Sequence, residues 1–321
     1  MGFLEMLYFI IPSAILYATP LIFTAIGGVF SERSGVVNIG LEGLMIVGAF
    51  VGIYVNLEYA STFGSATIWM AMLAAFIIGG IFSLLHAVAS ISFRADQTVS
   101  GVAINLLGLA VSVFLVKMIY DKGQTDMIDQ TYAINRFAIP YLEDIPFFGP
   151  LLFQNVYSTS ILAFAVAIGA WFIIYKTPFG LRLRAVGEHP MAADTMGVKV
   201  NRMRYIAVVI SGALGGLGGA VYAQSIAGNF SHATIAGQGF MAIAAMIFGK
   251  WHPIGALGAA LFFGVAQTLS VAGSGMPYIQ DIPAVYLQIL PYVLTIFALA
   301  GFIGKANAPK ASGQPYIKGK R

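Results

Sequence analysis

The chain has no cysteine among its 321 residues. Disulfides, thiolate metal sites and cysteine nucleophiles are therefore excluded. Charge is also scarce, at 9% Asp, Glu, Lys and Arg, where soluble domains carry about 25%. No GxxxxGK[ST] run occurs, so the chain has no P-loop for ATP, and GxSxG and HExxH are likewise missing. The four histidines, His86, His189, His232 and His252, have no metal-ligand spacing. No metal, cofactor or catalytic residue is expected on this chain. Met1–Ile11 contains neither Lys nor Arg, so it lacks the basic flank of a cleaved signal peptide. The net charge of +4 comes without a basic-aromatic patch, which argues against a nucleic-acid partner.

Apolar residues are what the chain has in abundance: 59% of it, with a mean hydropathy of +0.84. Several stretches exceed eighteen residues with almost no charge, enough to cross about 30 Å of hydrocarbon. The ten-residue alternating segments of a membrane β-barrel are absent. The fold class expected is an all-α polytopic membrane protein, with some helices short or broken. Apolar length and chain breakers predict about nine spans: 5–29, 36–57, 67–93, 98–118, 157–175, 205–224, 238–249, 254–273 and 285–303. The 238–249 segment would be about 18 Å long as a helix. It reads equally as a half-helix that enters and breaks.

Lys and Arg set the expected orientation. Residues 176–204 carry six Lys/Arg and two acids, eight of the 30 charges in the chain. With that island in the cytoplasm and the spans alternating, 14 of 17 basic residues fall inside. Lys117, Lys122 and Arg136 remain outside. The C-terminus is then cytoplasmic and the N-terminus external. This divides the chain into a transmembrane domain, 1–304, and a cytoplasmic tail, 305–321. Pro309, Gly313, Pro315 and five positive charges read as a disordered tail, free to rest on anionic lipid. The external segment 119–156 holds five acids and three prolines. It is either a solvated loop or a docking surface.

Polar residues inside the apolar stretches are the candidates for function. Asn38 and Glu42, four apart, share a helical face. Glu42 sits about 9 Å into its span, where a carboxylate is costly. It either pairs with a neighbouring helix or backbone N–H groups, or belongs to a path or gate. Gly101, Asn105, Gly108 and Ser112 form a small, polar stripe that serves close helix packing or lines a cavity. Gly212, Gly215, Gly216 and Gly219 make a second seam of small residues. They are not a dinucleotide loop, because no strand precedes them. Residues 223–240 are polar and glycine-rich, with Gln224, Asn229 and Phe240 among the path candidates. The segment is either an external loop or a re-entrant mouth. In the island, Pro190 and Gly197 bracket a predicted helix of about seven residues.

Two stretches carry a family resemblance: ERSGVVNIGLEGLMIVGAF at Glu32–Phe50 and TPFGLRLRAVGEHPMAADTMGV at Thr177–Val198. A looser third is Gly239–Gly264. The chain resembles permease subunits of bacterial ATP-binding-cassette (ABC) importers of the branched-chain amino acid/ribose permease superfamily, nucleoside-type branch. Glu188-His-Pro replaces the commoner Glu-Asn-Pro of that pattern.

The resemblance implies a vitamin-importer-like permease fold in the bacterial cell membrane. It implies a cytoplasmic ABC ATPase as partner, seated on a coupling helix around Glu188, Pro190, Ala192, Ala193, Asp194 and Gly197. A second permease chain, different or identical, and an external substrate-binding lipoprotein complete the assembly. The cargo would be a nucleoside. A ribose-type sugar permease, a proton-coupled secondary transporter using Glu42 and a membrane scaffold are the alternatives.

Overall fold

The computed structural model describes residues 2–275, 282–301 and 308–319. The order is α1 (Phe3–Arg33), α2 (Leu41–Phe63), α3 (Thr67–Ala87), α4 (Gln97–Tyr120), α5 (Ser158–Lys176), α6 (Pro178–Glu188), α7 (Pro190–Thr195), α8 (Val200–Tyr222), α9 (Gln238–Phe248), α10 (Pro253–Ala272) and α11 (Ala284–Gly301). Two short antiparallel strands, β1 (Arg136–Phe137) and β2 (Val156–Tyr157), pin the long loop between α4 and α5. The protein is all-α and polytopic. Six helical stretches among the described residues are long and apolar enough to cross a membrane. One of them, Leu41–Ser92, is 52 residues long and holds α2 and α3 in sequence.

Helices α1 and α8 are the most buried of these stretches, while α3, α4, α5 and α10 ring them with exposed apolar faces. Burial in α8 follows from its side chains. A Cβ on Gly216 would stand against the Ala75 carbonyl of α3, and Gly48 of α2 approaches the Gly216 carbonyl at least as closely. Gly212 meets Ser83 and Gly79, Gly215 meets Leu44, and Gly219 meets the Met45 carbonyl. Small residues let backbones touch where lipid provides no hydrophobic drive between helices. The stripe on α4 works the same way. Gly101 lies on Gly40, and Gly108 lies on Gly43.

The tail departs from the sequence expectation. Instead of being disordered, residues 308–319 form turns packed on the end of the protein that carries the 176–204 island. Ala311 and Tyr316 are buried. The Ala311 amide donates to the Gly187 carbonyl at 2.9 Å, and the Gly313 amide to the Gly35 carbonyl at 3.2 Å. A tail with a low apolar content can order when the surface beneath it supplies backbone partners and a slot for one aromatic ring. Lys305, Lys320 and Arg321 lie outside the described residues.

Candidate functional site

The island folds as a helix pair. Thr177 caps α6, its Oγ1 accepting the Gly180 amide at 3.2 Å, and Pro178 occupies the first turn. Both residues are helix-start signals. Leu183, Val186 and Gly187 bury one face of α6. His189 breaks the run with a non-helical backbone, and Pro190 starts α7. The end of α7 is a Schellman motif. Gly197 takes φ +82°, its amide bonds the Asp194 carbonyl, and the Val198 amide bonds the Ala193 carbonyl. Only a residue tolerant of left-handed backbone closes the helix this way.

Side-chain placement on α7 separates the residues that the sequence grouped. Ala193 faces inward and is buried, in one apolar cluster with Leu183, Met203 and Tyr316. Ala192 and Met196 are exposed, Met196 at 83%. They are four apart and so lie on the same side. Glu188, Pro190 and Asp194 are half-buried, and Gly197 is exposed. Met196, which the sequence reading did not single out, is the most prominent side chain on the outward face. Its place directly before Gly197, at the end of the predicted helix, was the one signal in the sequence.

The other candidates are held apart. The Glu42 carboxylate accepts the Gly237 amide at 2.5 Å and the Gly239 amide at 2.6 Å. These are orphan donors at the start of α9, where the helix dipole also favours an anion. Asn38 donates to Ser211 Oγ at 3.0 Å and accepts the Gly40 amide at 3.1 Å. Asn105 accepts the Gly43 amide at 2.8 Å and donates to the Ile39 carbonyl at 3.0 Å. Each of these polar groups brackets backbone that α2 or α9 leaves unpaired. Phe240 is half-exposed. Asn229 is partly buried, and its carbonyl accepts from Thr234 Oγ1 at 3.4 Å.

Gln224 alone among the path candidates lines one of the larger cavities. It lies in a π-turn, Ala223–Ala227, that continues α8. Its Oε1 accepts from Asn56 Nδ2 at 3.1 Å, and its Nε2 is buried without a partner. The cavity is about 600 Å³, with Gln130, Asn135, Arg136 and Tyr157 also in its wall. Such a volume holds a small organic molecule. The segment that follows reaches α9 from this end, starting beside the loop bridge of Gln124 with Ser231. Helix α9 starts beside Glu42 and, at 11 residues, is shorter than the stretches long enough to cross a membrane.

Glu32 and Arg33 clamp the turn between α9 and α10. Trp251 Nε1 donates to Glu32 Oε2 at 2.5 Å. Arg33 Nε donates to the Trp251 carbonyl at 2.8 Å, and its Nη2 to Tyr175 Oη at 3.2 Å. Burial and then the nearby Arg33 hold the His252 imidazole below its usual pKa. Among the described residues, no group of three His, Asp or Glu side chains could hold a metal ion.

Comparison with known proteins settles the family. Residues 10–299 match the family described as branched-chain amino acid transport system / permease component. The chain belongs to this permease family. Its relatives include the guanosine ABC transporter permease protein NupQ of Bacillus subtilis (strain 168), 62% identical over 321 residues and all of both chains. The nucleoside ABC transporter permease protein NupC of Lactococcus lactis subsp. cremoris (strain MG1363) is 51% identical over 320 residues, again across all of both chains. A second permease of B. subtilis, the guanosine ABC transporter permease protein NupP, is 27% identical over 88% of this chain and 79% of its own.

Proposed function

We propose that this chain is the transmembrane permease subunit of an ABC importer that takes up nucleosides. The observation that carries the reading is 62% identity, end to end, with a guanosine permease. ATP is hydrolysed on a partner ATPase, and an external binding lipoprotein delivers the cargo. The pattern of one close and one distant guanosine permease in the same organism supports pairing with a second, different permease chain.

The protein lies in the bacterial cell membrane with its α6–α7 end and C-terminus in the cytoplasm and its N-terminus outside. This follows the Lys/Arg distribution. α7 is the coupling helix. Ala192 and Met196 face the ATPase, while Ala193 ties the helix to its own chain. The cavity beside Gln224 lies at the opposite end, where an external binding protein releases its load. The amide groups of Gln130, Asn135 and Gln224 suit an uncharged, hydrogen-bonding cargo.

Uptake of labelled guanosine by cells expressing the complete transporter tests this. Competition by other nucleosides but not by ribose, and loss of uptake on ATP depletion, are expected. Uptake that survives ATP depletion but stops when the proton gradient collapses would refute it.

A further inference from the structure

The largest fully buried side chain among the described residues is a cation, Arg204, at 1% exposure. It sits in the first turns of α8, just after α7. A buried guanidinium is costly unless its hydrogen bonds are met. Arg204 meets two of them with carbonyls, while its Nη2 is buried without a partner. Its Nε donates to Ser34 at 3.2 Å, in the link between α1 and α2. Its Nη1 donates to Gln314 at 2.9 Å, in the C-terminal segment. The one ion pair among the described residues, Lys122–Asp126, lies elsewhere.

The same segment makes three further attachments. Ala311 bonds the Gly187 carbonyl near the end of α6, and Gly313 bonds the Gly35 carbonyl in the α1–α2 link. The Tyr316 ring is buried in the cluster that contains Ala193, the inward residue of α7. Burial and the neighbouring Asp194 carboxylate of α7 hold the Tyr316 phenol above its usual pKa. One short stretch thus touches α6, α7, α8 and the α1–α2 link.

We infer that residues 308–319 are a strap that couples α7 to the α1–α2 link through Tyr316, Gly313 and Arg204. Motion imposed on α7 is thereby shared with α1 and α2, which enclose α8. Without the strap, α7 would retain its short connections to α6 and α8 but lose this second attachment. Tyr316 is a positioning residue that touches neither cargo nor nucleotide. The inference rests on the coupling role proposed for α7.

The test uses membrane vesicles holding the complete transporter, with labelled guanosine uptake and ATP hydrolysis read in the same preparation. Truncation after Asn307 and Tyr316→Ala are each expected to lower uptake at least tenfold while hydrolysis stays within twofold. Tyr316→Phe, which keeps the ring, is expected to retain uptake. If the truncated chain fails to accumulate, Tyr316→Ala decides. Uptake within twofold of the parent in Tyr316→Ala overturns the strap, as does an equal loss of hydrolysis and uptake. Failure of the importer reading looks different: parent uptake would then persist after a Walker-motif lesion in the ATPase chain.

Discussion

Glu42 Oε2 accepts the Gly239 amide at 2.6 Å, across 197 residues of chain. With the second bond to Gly237, α2 thereby fixes the start of α9. Hydrogen bonds to a charged group contribute about 1.5–3 kcal/mol each. Glu42→Gln keeps the shape but loses the charge and one acceptor. It is expected to destabilise the protein by about 2 kcal/mol or more, by that same scale. A lowered unfolding midpoint in detergent checks this. An unchanged midpoint would show that the cap contributes little.

The glycine seam of α8 predicts a contrast between two identical substitutions. Gly216→Ala would drive a methyl into the Ala75 carbonyl of α3, where only backbone movement makes room. Overpacking of this kind costs about 1–3 kcal/mol, and more when backbone must shift. Gly169→Ala in α5 meets nothing within 4 Å and should be neutral. Comparison of the two chains by membrane accumulation and thermal midpoint is decisive. Equal behaviour would contradict the seam.

Asn105 holds α4 to the first turn of α2. Asn105→Ala leaves the Gly43 amide and the Ile39 carbonyl without these partners. Each unsatisfied buried group costs about 1–3 kcal/mol. Reduced resistance to SDS unfolding is expected, with cargo preference unchanged among the molecules that remain folded. Altered preference between guanosine and other nucleosides would place Asn105 in the path instead.

On α7 the two faces should respond differently. Met196→Glu changes an exposed side chain and is expected to leave the amount of folded chain unchanged. It should lower co-purification with the ATPase, and uptake, by about tenfold, the effect of roughly 1.4 kcal/mol at the contact. Ala193→Arg forces a cation into the buried cluster and should reduce the folded chain itself. Full uptake in Met196→Glu would count against this face as the socket contact.

Much of the candidate site was legible in the sequence as residue type and spacing. Pro190 and Gly197 bracketed a short helix, and the structure places α7 between them, because proline fixes φ at a helix start and glycine tolerates the left-handed closing turn. Glu42 was legible as an anomaly, a carboxylate in an apolar run. Its two open readings separated only when Gly237 and Gly239 came within reach, 195 and 197 residues away. Spacing along one helix carries no information about such partners. By sequence Ala193 groups with its neighbours as a coupling residue, but it is buried in a cluster that draws on α6, α8 and Tyr316.

The sequence by itself determined that the chain is a helical membrane protein. Length, hydropathy and the charge island are local properties, and lipid permits few backbone solutions. It also determined where helices could approach closely, since a missing side chain is legible at its own position. The tertiary structure decided which polar groups became brackets, which face of α7 turned outward, and that the tail packs. Proline, glycine and lysine in the tail indicate only that it cannot order alone. Its order comes from carbonyls at Gly35 and Gly187, a guanidinium at Arg204 and a place for the Tyr316 ring in the buried cluster that also holds Ala193. These are brought together by four separate parts of the chain, and no stretch of sequence contains that surface.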